Sequence, residues 1–203
     1  MTDLEIITAE LQARDRDCWL ACLYAPASAR PGLIALFALD LELAGLVAST
    51  TEPMLGEIRL AWWRERLEEL DAGKAPAQPL LATLRDHALP VLRGAELAGL
   101  EDRWLAMIGS DDVPPAHIDG GGQLFALAAR LLGGDAAVAH ALGRAWVLGE
   151  PAAGRVPAPL RPLAGLVALA ARDAARARAG QPREPRGSLA RQWRLVRAVA
   201  FGG

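Results

Sequence analysis

Two acidic side chains, Asp40 and Glu42, interrupt the most apolar stretch of the chain, residues 33–48. A carboxylate enclosed among apolar side chains needs a cation, a metal ion or a hydrogen-bond donor to offset its desolvation. The i,i+2 spacing sends the two side chains to different faces of a helix, so they do not converge on one ion. Each is expected either to line a residual polar pocket or to reach an arginine on a neighbouring helix. Glu57, Arg59, Trp62 and Arg64 follow in the next amphipathic stretch. They can line the same cavity, but pairing of the charged ones with acids on the preceding helix is the commoner outcome for such groups. Trp62 and Trp63 continue apolar stripes and are read as core. Asp40, Glu42, Glu57, Arg59, Trp62 and Arg64 are the candidate pocket-lining residues. No catalytic residue and no metal-ligand set is assigned.

The other chemically suggestive groups have plainer readings. Glu65 and Glu69 have the i,i+4 spacing that could hold a metal ion, but Arg64 and Arg66 are interleaved with them and Glu68, which is the pattern of a solvated helix face. Cys18 and Cys22 stack one turn apart with no second pair to complete a zinc site, so they are read as small core residues of a reducing compartment. His117 and Asp119 precede Gly120, Gly121 and Gly122, but no Lys-Ser/Thr and no strand frames a phosphate loop. His87 and His140 are single helical histidines with a structural reading. The arginines near the C-terminus carry no nucleic-acid-binding signature.

These residues must be positioned by helices. Ala and Leu dominate, β-branched runs are scarce, and no strand is predicted. Thr2 caps a first helix with Leu4, Ile7 and Leu11 on one face. Residues 15–24 form a second, ended by Pro26. Residues 28–48 form a third that is apolar almost all round and therefore central. Residues 53–70 are the clearest amphipath, with Leu55, Ile58 and Trp62 on one stripe and Leu60, Trp63, Leu67 and Leu70 on another. A short loop is expected at 75–79, helices at 80–87 and 95–108, and a loop at 109–122. Helices follow at 124–132, 136–148 and 163–179. Ser188 caps a last helix to Phe201. That helix is expected to dock by Leu189, Trp193, Val196 and Ala200, with Arg191, Arg194 and Arg197 off that stripe and turned to the acidic N-terminal part. Contact of these arginines with an anionic membrane is the alternative. Short connections favour one helical bundle over residues 1–203.

Composition narrows the class. Of 203 residues, 52% are hydrophobic and 23% charged, as in a folded globular chain. The formal net charge of −2 hides a split: residues 1–150 hold 22 acids and 12 bases, and residues 151–203 hold two acids and ten arginines. Halves of opposite sign attract each other or meet a charged partner. The apolar stretch at 33–48 is shorter than the ~20 residues of a membrane span and carries two acids. It is read as a buried core helix, with neither a signal peptide nor a transmembrane segment expected. A cytoplasmic location, with peripheral contact to the inner membrane, is the corresponding expectation.

Residues 15–44, DRDCWLACLYAPASARPGLIALFALDLELA, and residues 52–64, EPMLGEIRLAWWR, together resemble the opening of squalene/phytoene synthase family proteins. The likeness is greatest to the divergent branch that includes complex I assembly factors and their bacterial relatives. It implies a shortened, all-α bundle of the terpenoid (isoprenoid) synthase type. Active members join two prenyl diphosphates with Mg²⁺ held by Asp-rich motifs on facing helices, since the departing diphosphate must be neutralised. Aligning Phe37-Ala38-Leu39 with the family's usual Tyr-Ala-Phe puts the first motif's aspartates at Ala44 and Ala48. After Leu142-Gly143-Arg144-Ala145-Trp146, where the second motif belongs, only Glu150 is acidic. The resemblance therefore implies a non-catalytic protein that binds a partner protein or a lipid-like ligand and needs no cofactor. The alternative is a prenyltransferase using Mg²⁺ on the atypical acid set Asp40, Glu42 and Glu150.

Overall fold

A computed structural model describes residues 1–74 and 77–202. Part of the loop expected at 75–79 thus lies outside the described residues. The chain is all-α, with no strand among the described residues, as in isoprenoid synthase-type folds. The helices are α1 (Asp3–Arg14), α2 (Arg16–Leu23), α3 (Arg30–Ser49), α4 (Pro53–Asp71), α5 (Pro79–His87), α6 (Gly94–Ala98), α7 (Glu101–Leu105), α8 (Pro115–Leu132), α9 (Ala136–Leu148), α10 (Arg161–Arg178) and α11 (Leu189–Phe201).

Local signals set most of these boundaries. Thr2 and Glu5 form a capping box on α1. Asp15 caps α2 through the amides of Asp17 and Cys18, and Asp135 caps α9 in the same way. α3 is buried continuously from Gly32 to Asp40, and again at Leu43. It packs on α1, α2, α4, α5, α7 and α8, which makes it the centre of the core. By length and apolarity alone α3 could cross a membrane, but more than half of it is buried inside the protein. Cys18 and Cys22 are buried in the same core, where burial pushes both thiols well up.

Four expectations are corrected. The helix predicted at 95–108 is two short ones, α6 and α7, parted at Gly99 and Leu100. The loop predicted to run from 109 to 122 ends at Pro114, because α8 starts at Pro115 and includes all three glycines. Proline at the first helical position costs no hydrogen bond. Each helical glycine costs up to about 1 kcal/mol relative to Ala, and close packing offsets it. A Cβ on Gly121 would lie 2.3 Å from Val147 of α9, and one on Gly143 2.1 Å from the Gly121 carbonyl oxygen.

Of the two apolar stripes of α4, Leu60, Trp63, Leu67 and Leu70 is the one that is buried, together with Gly56. Leu55, Ile58 and Trp62 face outward, and Trp62 is 44% exposed. Trp62 packs edge-on against Trp63 at 5.3 Å but is not core. α11 docks the other way round from the expectation: Arg191, Leu195 and Ala198 are buried, and Leu189, Trp193 and Val196 are exposed. The reason is an ion cluster. Arg191 donates to Asp17 of α2 at 2.6 Å and to Asp173 of α10, and this rotates the Trp193 stripe to the outside. Arg191 does meet the acidic N-terminal part of the chain, as expected, whereas Arg194 and Arg197 remain exposed.

Candidate functional site

A buried polar cluster forms where α3, α7, α8 and α9 meet. Asp40 projects from α3, Arg103 and Trp104 from α7, and His117 from α8, while Trp146 of α9 closes one side. Arg103 is 2% exposed. Its Nη1 donates to Asp40 Oδ1 at 3.1 Å, and Trp104 Nε1 donates to the same oxygen at 2.8 Å. Its Nη2 lies 3.2 Å from His117 Nε2, and His117 Nδ1 lies 3.0 Å from the Arg103 carbonyl oxygen. The guanidinium carbon stands 4.8 Å from the Trp104 ring and 5.6 Å from the Trp146 ring, so cation–π attraction adds to the ion pair. Trp146 stacks in turn on Phe125 at 5.2 Å.

Two features of the sequence build this cluster. Gly120 admits the Arg103 stem, because a Cβ there would sit 2.3 Å from Arg103 Cβ. His117 falls one turn before it on α8 and meets the Trp104 ring edge-on at 4.8 Å. Burial, and the neighbouring Arg103 charge, push the His117 pKa down. A neutral imidazole fits both contacts: Nδ1–H donates to the Arg103 carbonyl, and Nε2 accepts from the guanidinium. Arg103 Nε is buried without a hydrogen-bond partner among the described residues.

The six candidate residues do not share one pocket. Asp40 is buried in the cluster just described. Glu42 turns away to α1, where Arg14 Nη1 donates to it at 2.9 Å, and it lines a separate cleft of about 290 Å³ with Glu10, Arg14 and Gln78. Arg64 stands 3.5 Å from Glu101. Burial raises the Glu101 pKa against the opposing Arg64 charge. Glu57, Arg59 and Trp62 lie on the exposed side of α4. Glu150 is exposed and lines a third cleft with Arg144 and Arg155, apart from both Asp40 and Glu42. Arg103, Trp104 and His117 were not singled out together from the sequence. The available signal was Asp40 itself, an acid inside an apolar helix that demands a buried cation.

The residues present do not fit a Mg²⁺ site. Mg²⁺ demands several oxygen ligands in near-octahedral geometry, whereas one oxygen of Asp40 already accepts two hydrogen bonds and a guanidinium stands beside it. One turn along the same face is Ala44, half-buried, and one turn further is Ala48, exposed. Among the described residues no three His, Cys, Asp or Glu side chains converge as a metal site.

Residues 11–90 match the squalene/phytoene synthase family. The matched stretch holds α2, α3, α4 and α5, with Asp40, Glu42 and the α4 residues inside it and Arg103, Trp104 and His117 beyond it. The human protein named NADH dehydrogenase (ubiquinone) complex I, assembly factor 6, is 30% identical over 98 residues, which are 48% of this chain and 27% of that protein. The bovine and rat proteins of the same name are 29% and 30% identical over the same shares. The chain thus spans about a quarter of the length of the curated relatives it matches. No solved structure matches it.

Proposed function

We propose that this chain is a non-catalytic, squalene/phytoene synthase-like protein that works by binding a protein partner during the assembly of a larger complex. The observation that carries this reading is the occupancy of Asp40. Its carboxylate is neutralised by Arg103 and bound by Trp104, and the helix face beyond it continues with Ala44 and not with a second acid. With Arg103 and Trp104 on it, Asp40 is not free to hold the Mg²⁺ that would neutralise a departing diphosphate. The naming of the relatives as assembly factors of complex I supports a binding role, and points to subunits of an NADH dehydrogenase as the partner class. Within the matched segment, α4 offers a surface of suitable character: Met54, Leu55, Ile58 and Trp62 are all exposed. An apolar patch of this kind commonly marks a protein interface.

The test has two arms. Purified protein incubated with farnesyl or geranylgeranyl diphosphate and Mg²⁺ is expected to release no diphosphate above the protein-free control, and Mg²⁺-dependent release would overturn the non-catalytic reading in favour of the prenyltransferase. Affinity-tagged protein expressed in its own cells is expected to co-purify with NADH dehydrogenase subunits, and the Ile58→Glu/Trp62→Glu variant to lose them. Retention of those subunits by the variant would remove α4 from the interface.

A further inference from the structure

The C-terminal quarter of the chain has spent its acids. Only Asp173 and Glu184 are acidic after residue 150. Asp173 pairs with Arg183 and Arg191, and Glu184 with Arg172 and Arg176. Arg155, Arg194 and Arg197 make no ion pair among the described residues, and all three are exposed. Arg155 shares a cleft with the exposed Glu150, whereas the charges of Arg194 and Arg197 face outward with no acid paired to them among the described residues.

Those arginines flank two apolar features. The first is the outward stripe of α11, freed by the buried docking of Arg191 on the opposite side. Trp193 is 72% exposed, more than any other of the six tryptophans, and Leu189, Val196 and Phe201 are exposed with it. The second is a groove of about 800 Å³ between α10, residues 149–155 and the end of α11. Its floor is alanine, including Ala164, Ala168, Ala171 and Ala175, and Arg155 and Arg194 stand at its rim with Phe201. The groove is closed at one end by backbone: Gly202, in the left-handed region at φ +81°, accepts a hydrogen bond from the Val156 amide at 2.9 Å.

We infer that α11 and this groove form a docking surface for an anionic phospholipid bilayer. The complementarity is chemical. A helix face of Trp, Leu, Val and Phe bordered by arginines suits the headgroup–acyl boundary, where aromatic rings sit and guanidinium groups meet phosphate. The alanine-floored groove beside it has room for part of one acyl chain, with Arg155 and Arg194 placed to hold its headgroup. The helix lies along the surface and does not cross it, since Arg191, Leu195 and Ala198 hold its other side to the protein. This surface is distinct from the α4 face, so the inference stands or falls independently of the assembly reading.

Flotation of the full chain with vesicles tests it. At low salt the protein is expected to float with vesicles of equal parts phosphatidylglycerol and phosphatidylcholine, and not with phosphatidylcholine alone. The Arg194→Gln/Arg197→Gln variant is expected to partition about thirtyfold more weakly, at about fivefold per charge. The Trp193→Ser/Phe201→Ser variant is expected to lose flotation. Both variants should melt as the parent does, because the altered side chains are exposed. Three results would each overturn the inference: no flotation of the parent, equal flotation on phosphatidylcholine alone, or flotation unchanged in both variants. A parent dimer in sedimentation velocity that Trp193→Ser dissociates, without vesicle binding, would assign the face to a second copy of the chain instead.

Discussion

Arg103 and Arg191 are the two largest side chains fully enclosed by this protein, and their surroundings differ in kind. Arg191 stands between two carboxylates on two other helices. Burial works against its charge, but the hydrogen bonds it donates to Asp17 and Asp173 outweigh it and raise its pKa. Burial likewise works to raise Asp173, and is overcome by Arg191 and Arg183, which hold it below the usual carboxylate range. Arg103 has one carboxylate, one neutral imidazole and two indole rings, and one of its nitrogens has no hydrogen-bond partner among the described residues. The first is a strut whose charges are more than matched. The second is a cation enclosed by one carboxylate and aromatic rings at the meeting of α3, α7 and α8. A buried arginine therefore says little by itself; the groups around it decide whether it ties elements together or occupies a pocket.

The comparison breaks most visibly at Arg191. Arg191→Leu leaves Asp17 buried without a cation, and is expected to cost about 3–5 kcal/mol of stability in urea unfolding. Asp40→Asn keeps an acceptor for Arg103 and Trp104 but removes the charge, and should cost about 2 kcal/mol in the same measurement. A larger loss for Asp40→Asn than for Arg191→Leu would reverse the roles assigned to the two clusters. A pH series sharpens the distinction. The His117 pKa is depressed in the folded state, so the stability linked to it is fully present above the unfolded value of about 6.5 and is lost as pH falls below that value. Asp173 is also depressed, so its contribution persists above about pH 3.9 and is lost as pH falls further. His117→Gln should remove the decline near neutrality and leave the acid one; a decline near neutrality that survives in this variant would locate it elsewhere. The smallest effects belong to the exposed candidates. Glu57→Gln and Arg59→Gln are each expected to change stability by less than about 0.5 kcal/mol, and a loss of several times that would mean α4's outer side is packed.

Much of the fold was legible because its signals are local. Thr2 with Glu5, Asp15 and Ser188 mark helix starts by their own side chains, and the unbroken apolar surface of α3 identifies the centre. Three features resisted because non-local contacts decide them. α4 has two apolar stripes, and nothing within 53–71 says which of them meets the core. α11 has a wide apolar stripe that propensity would turn inward, but its orientation is fixed by Asp17, 174 residues away. The glycines of α8 read as a loop because their packing partners, Arg103 and α9, lie in other segments. The site was half legible: Asp40 announces a buried charge, and Glu42 an arginine partner, but which cations answer them depends on how the helices cross. The family resemblance rested on residues 15–44 and 52–64 and did not reach Arg103, Trp104 and His117, which also lie beyond the stretch that matches the family.

The strut at Arg191 also sets an order of events during synthesis. A ribosome makes α2 well before α11, so Asp17 emerges long before the cation that neutralises it. Until residue 191 has left the exit tunnel, the first helices cannot enclose Asp17 without leaving a bare charge inside. Contacts of such sequence separation are slow to close, and the nascent chain is exposed meanwhile. A ribosome-bound fragment ending before α11 should accordingly remain protease-sensitive in α2, and a longer one that exposes α11 should become resistant.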